Sequence, residues 1–155
     1  RLAETKGAIE LLLAESYATR DQVALIAFRG NTAELILPPT RALARAKREL
    51  AGLPGGGATP LAAGIHSAHA LATDLQRKGQ HPVLIFMTDG RANVSLDGST
   101  GHQAAGEEAL ESARIIKSAG WDCLLIDTAR RPRPKAREMA EAMAARYLPL
   151  PAPPI

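Results

Sequence analysis

Two short runs constrain this chain more than anything else in it: VLIFMTDG at residues 83–90 and WDCLLIDT at residues 121–128. Each is apolar almost throughout, and each carries an acidic residue, Asp89 or Asp127, next to its end. A strand that is apolar on both faces needs cover on both, and sheets of such strands are parallel, with helices on either side. Between the runs, a polar loop, RANVSLDGSTGHQ, leads into a predicted helix at about 104–119 that Gly120 caps. Such a crossover is what parallel neighbours require. In open sheets of this kind ligands sit at the carboxyl ends of the strands, which is where both acidic residues fall.

The rest of the chain extends the same alternation. Residues 2–18 read as a helix through Leu2, Ile9, Leu12, Leu13 and Tyr17. A strand, QVALIAFRG, follows Asp21, and the turn Gly30–Asn31 joins it to AELIL at 33–37 as a β-hairpin. Pro38 and Pro39 are expected to stop that second strand. Residues 40–51 form a short basic amphipathic helix, and LPGGGATPLAAG at 53–64 is too rich in glycine and proline for regular structure. Thr59 is then the expected N-cap of a helix with Pro60 at its first position, and Leu61, Ile65, Ala68, Ala72 and Leu75 are its buried stripe. After the basic loop ARRPRPK a helix is predicted at about 135–146, with Met139, Met143 and Ala144 on one face, and YLPL at 147–150 is a last edge strand.

The expected fold class is therefore α/β: a doubly wound, mostly parallel sheet with one antiparallel edge strand, in one domain over residues 1–150, with an irregular tail at 151–155. The size fits, since 155 residues of which 46% are hydrophobic make one core and leave little room for two. Aromatic residues are only 3%, so that core is built from Ala, Leu, Ile and Val. A single cysteine, Cys123, excludes a disulfide scaffold and suggests a reducing, cytoplasmic compartment. No apolar run approaches the roughly 20 residues of a membrane helix. A net charge of +3 without interleaved stacking aromatics argues against a nucleic-acid binder. The chain opens at Arg1 within a helical pattern and closes on PLPAPPI, so it reads as a piece of a longer protein.

Two segments carry candidate chemistry. Asp89 offers a carboxylate at a strand end, followed by Gly90, which allows close backbone approach. Thr59 offers a hydroxyl at a helix start. Hydroxyl, carboxylate and water are hard ligands suited to Mg²⁺. Taken alone, either residue could equally serve as a cap, Thr59 of its helix and Asp89 of its turn. Around the same rim Arg130, Arg131, Arg133, Lys135 and Arg137 form a basic cluster stiffened by Pro132 and Pro134. It is either a solvated loop or a dock for an acidic partner surface that loses little entropy on binding.

GGGATPLAAGI and LIFMTDGRAN together resemble the von Willebrand factor A, or integrin I-like, fold. That family builds a metal-ion-dependent adhesion site from a DxSxS segment after its first strand, a Thr on a second loop and an Asp on a third. Thr59 matches the second element and Asp89 the third. More narrowly, LIFMTDGRANVSLDG, LIDTARRPRP and ARYLPLP look like the domain that closes magnesium chelatase D subunits of photosynthetic bacteria. No DxSxS occurs in the chain, nor does the mid-sheet strand that precedes it, and the helix at 2–18 is similar to the one that follows that motif. The resemblance thus implies an incomplete Mg²⁺ site without those upstream residues, and a sheet lacking its middle strand. It also implies a non-catalytic interaction role in the ATP-dependent complex that inserts Mg²⁺ into protoporphyrin IX in (bacterio)chlorophyll biosynthesis. The partners would be an AAA+ ATPase I subunit and a porphyrin-binding H subunit.

Other readings stay open. A metal-assisted hydrolase of doubly wound fold would use Asp89 as nucleophile or ligand, with Asp127 as second acid and Lys135 as phosphate-binding group. An adhesion-type module of another AAA+ system is a third reading. His66 and His69 share a helix face but lack a third ligand at matching spacing, so packing roles are expected. There is no GxxxxGK[ST] phosphate loop and no GxSxG elbow.

Overall fold

A computed structural model describes residues 2–52 and 59–150. Helix α1 (Leu2–Ala18) leads into strands β1 (Val23–Arg29) and β2 (Thr32–Thr40) and helix α2 (Leu43–Ala51). Helix α3 (Leu61–Arg77), strand β3 (Val83–Thr88), helix α4 (His102–Ala119), strand β4 (Asp122–Asp127), helix α5 (Pro134–Met143) and strand β5 (Arg146–Pro149) follow. The order of elements is that expected from the apolar patterning. The expected irregularity of residues 53–58 and the tail at 151–155 lie outside the described residues.

The strands form two sheets. β3, β4 and β5 are parallel in that order, in the register Phe86–Leu125 and Leu125–Tyr147, while β1 and β2 make an antiparallel ribbon. Among the described residues no strand joins the two, as expected of a sheet without its middle strand. Helix α3 spans the division. Gly64 on its inner face lets the helix lie against Phe28 of β1; a Cβ there would come within 2.5 Å of the Phe28 ring.

The main core lies between one face of the parallel sheet and helices α3, α4 and α5, with Leu84, Phe86 and Leu125 meeting Ile65, Ile116, Met139 and Met143. Ala105, Ala109 and Ala113 are fully buried along one side of α4. With only alanine at these three positions, that part of α4 seats close against its neighbours, and Ile116 fills the core beyond them. A second cluster, Leu13, Leu37, Ala46 and Leu50, binds α1 and α2 to the hairpin.

Several boundaries differ from expectation for identifiable reasons. β2 runs through Pro38 and Pro39 rather than stopping there. The pairing jumps from Leu25–Leu37 to Val23–Thr40, so the prolines sit in a bulge where no ladder hydrogen bond is needed. Helix α3 starts at Leu61 with Pro60 in the cap position, so Thr59 is one residue too early to be its N-cap. Tyr17, one of the residues that mark the helical period of α1, is 61% exposed. Ala144 ends α5 with a left-handed φ of 56°, where helix was expected, while Gly120 caps α4 at φ 74° as expected. On the sheet face away from α3–α5, Val83 and Ile85 are exposed.

Candidate functional site

The site begins where β3 ends. Thr88 is buried, and its Oγ1 accepts the Gly90 N–H at 3.1 Å, which turns the chain sharply after Asp89. Gly90 has φ +82°, and a Cβ on it would lie 2.5 Å from the Ala136 nitrogen and 2.6 Å from its Cα. Only glycine permits this conformation together with the close approach of the first turn of α5. The Asp89 loop and the start of α5 are thereby held backbone to backbone.

The loop after Gly90 folds on itself. Gly101 N–H donates to the Asn93 carbonyl at 3.0 Å, Ser95 N–H to the Ser99 carbonyl at 2.9 Å, and Leu96 N–H to the Glu108 carboxylate on α4. Asn93 then reaches the other candidate segment. Its Oδ1 accepts the Thr59 N–H at 2.8 Å, and its own N–H donates to the Thr59 carbonyl at 3.2 Å. This reciprocal pair links two loops 34 residues apart and holds Thr59 beside the Asp89 loop. The Thr59 side chain makes no hydrogen bond among the described residues.

Thr59 and Asp89 line one open cavity of about 1050 Å³ at the carboxyl ends of the parallel strands. Arg130, Arg131, Arg133 and Lys135 line it too, with Arg91 and His102. Arg137 does not; it is exposed, and its guanidinium lies 4.4 Å above the Tyr147 ring. The structure therefore gathers Thr59, Asp89 and four of the five basic residues onto one rim.

The Asp89 carboxylate is engaged by its neighbour. Oδ1 accepts the Arg91 N–H at 3.0 Å, while Oδ2 accepts the Arg91 Nε at 2.9 Å and lies 2.7 Å from Nη2. Hydrogen bonding to Asp89, then its charge, holds the Arg91 guanidinium above its ordinary pKa. Asp127 is different: it is fully buried, accepts Tyr147 O–H at 2.5 Å and Ala129 N–H at 3.0 Å, and does not line the cavity. Burial, and then the bond to Asp127 and its charge, push the Tyr147 phenol up, against a smaller opposing effect of Arg137.

His66 and His69 are held in packing hydrogen bonds. Ser112 Oγ donates to the Glu108 carbonyl at 2.9 Å, which leaves His66 Nε2 to donate to that hydroxyl at 3.0 Å. His69 Nδ1 accepts the Trp121 indole N–H at 3.1 Å. Cys123 is a core thiol, pushed up to about 12 by burial. Asn93 and Arg91 are the residues that sequence reasoning passed over. Both lie inside the TDGRAN stretch, and a polar side chain two or four positions past a strand-end Asp was the signal available.

The donors present are of the kind a Mg²⁺ ion takes: a hydroxyl without a hydrogen bond among the described residues and a carboxylate, on two residues that line one cavity. They fit such an ion as part of a shell. No group of three His, Cys, Asp or Glu side chains that could enclose a metal occurs among the described residues. Thr59 and Asp89 are the residues that would hold the ion, leaving its other positions to water and to groups from elsewhere. Nor, among the described residues, is any helix long and apolar enough to cross a membrane.

Comparison with known proteins identifies the family and the fold. The chain is 51% identical over 151 residues to the magnesium-chelatase 60 kDa subunit of Cereibacter sphaeroides, covering 97% of this chain and 27% of that protein. It is 48% identical to the subunit of the same name from Rhodobacter capsulatus, with the same 97% and 27% coverage. The chain thus spans about a quarter of the length of these relatives. Its fold matches the crystal structure of the SpRpn10 VWA domain with a TM-score of 0.73 at 12% identity, over 99% of this chain and 78% of that one. Residues 1–91 match the family described as von Willebrand factor type A domain. With more than half of its 155 residues matched in sequence and nearly all of them matched in fold, the chain belongs to the von Willebrand factor type A domain family.

Proposed function

We propose that this domain is a non-catalytic interaction module of a magnesium chelatase subunit, acting in (bacterio)chlorophyll biosynthesis within a cytoplasmic complex. It docks other subunits through a shared Mg²⁺ ion at Thr59 and Asp89, flanked by the basic rim. The observation that supports this most is the joining of Thr59 and Asp89 on one rim through Asn93. A carboxylate and a hydroxyl held this way, beside Arg130, Arg131, Arg133 and Lys135, suit a partner that brings acidic groups both to an ion and to the surrounding guanidiniums. The partners on this reading are an AAA+ ATPase I subunit and a porphyrin-binding H subunit. ATP hydrolysis and metal insertion then occur on other parts of the assembly, and this domain transmits their conformational changes.

The test is partner affinity with and without metal. In the full-length protein, binding to each of those two subunits is measured in Mg²⁺ and in chelator, for the natural chain, Asp89→Ala, and the pair Arg130→Gln with Arg131→Gln. Asp89→Ala should remove the Mg²⁺ dependence, and the arginine pair should weaken binding most at low salt. Equal affinities for all three proteins in both buffers would refute the reading.

A further inference from the structure

We propose that Arg91 is a built-in counter-ion latch on Asp89: its guanidinium occupies the carboxylate until a divalent cation displaces it. This rests on the reading of Thr59 and Asp89 as part of a cation site. The argument starts from the geometry of the pair. Asp89 has two oxygens, and residue 91 reaches both, through its backbone N–H on Oδ1 and through Nε and Nη2 on Oδ2. Two side-chain nitrogens within hydrogen-bonding distance of one oxygen place a delocalised positive charge at the front of the carboxylate, where an ion would sit.

The pair is also placed so that it can open. The Arg91 side chain is 62% exposed and that of Asp89 25% exposed, so the guanidinium covers the carboxylate from the solvent side without being packed in. Opening it strands no buried charge, since water reaches the released group. Exposed ion pairs are weak, so the latch restrains the site and does not close it. The backbone bond from Arg91 N–H to Oδ1 does not depend on the side chain and keeps the carboxylate aimed while the guanidinium leaves.

The released charge stays at the rim of the cavity. Arg91 already lines the cavity with Arg130, Arg131, Arg133 and Lys135. Released from Asp89, its charge is no longer neutralised and adds to theirs. Arrival of a cation therefore changes the cavity twice: the ion adds positive charge, and Arg91 regains its own. Cation binding and affinity for an acidic partner are coupled through one side chain.

The test is a calorimetric Mg²⁺ titration of the full-length protein and of Arg91→Gln, Arg91→Lys and Asp89→Asn, each first checked for an unchanged melting profile. Arg91→Gln should bind Mg²⁺ about two- to fivefold more tightly than the natural chain, the range that an exposed pair allows. Arg91→Lys, which keeps the charge but not the two-nitrogen grip, should fall between them. Equal affinity of Arg91→Gln and the natural chain, with Asp89→Asn weakened, would overturn the latch and leave the cation site standing. Arg91→Lys matching the natural chain while Arg91→Gln tightens would reduce Arg91 to a distant charge, which also overturns it. Loss of nothing on Asp89→Asn, or no binding by any of the four, would remove the cation site and the latch together.

Discussion

Replacing Gly90 with alanine tests the joint on which the site rests. Two separate penalties apply. The first is conformational: at φ +82° an L-residue is strained by about 1–2 kcal/mol. The second is steric, because the new methyl would lie 2.5 Å, 2.6 Å and 2.7 Å from the Ala136 nitrogen, the Ala136 Cα and the Lys135 carbonyl carbon. All three are backbone atoms in the first turn of α5, so no rotamer change relieves them. Either α5 shifts outward or the Asp89 loop does, at about 1–3 kcal/mol for overpacking of this kind. The sum is about 2–5 kcal/mol. Gly79 supplies the control. Its φ of +83° is nearly the same, but nothing lies within 4 Å of its virtual Cβ, so Gly79→Ala incurs only the first penalty. In urea unfolding followed by circular dichroism, Gly90→Ala should lose about 1–3 kcal/mol more than Gly79→Ala. Equal losses for the two variants would refute the contact between the loop and α5, and with it the account of how Asp89 is positioned.

Two further outcomes follow from individual hydrogen bonds. Asn93→Ala removes the acceptor for the half-buried Thr59 N–H and should cost about 0.5–1.5 kcal/mol. Hydrogen exchange at Thr59 should accelerate while exchange in β4 stays unchanged, and an unaltered Thr59 rate would show that the two loops are not held together by Asn93. Tyr147→Phe leaves the buried Asp127 carboxylate with one partner fewer and should cost about 1–3 kcal/mol at neutral pH. The pH dependence has a definite sign. The folded phenol keeps its proton to higher pH than the unfolded one, so its contribution is whole below about pH 10 and is lost as pH rises through the raised folded value. The gap between the natural chain and Tyr147→Phe should therefore narrow in strong alkali; a constant gap would contradict the Tyr147–Asp127 bond.

Much of the fold was legible along the chain because the forces that make it are local or periodic. Apolar runs of five or six residues next to an acidic residue read as strands of a parallel sheet, and Gly120 reads as a helix end, although β3 lies at the edge of its sheet among the described residues and leaves Val83 and Ile85 exposed. The errors arose where a partner segment overrode a local preference. Pro38 and Pro39 stay within β2 because β1 accommodates them in a bulge. Thr59, a good N-cap in isolation, is instead bonded through its backbone to Asn93, and the helix starts two residues later. Arg137 reads as part of a run of basic residues, but the turn of α5 directs it onto Tyr147 and away from the cavity.

The pattern of apolar residues was enough to establish the alternation of strands and helices, the parallel sheet and the position of Asp89 at a strand end, since hydrophobic burial depends on spacing that can be read in one dimension. Which oxygens share a cavity could not be read that way. Thr59 and Asp89 line one cavity because Asn93 bridges their two loops and Gly90 admits the backbone of α5, and Arg91 folds back on Asp89. Each of these is a contact of a few ångströms whose geometry exists only after the sheet and its helices have packed.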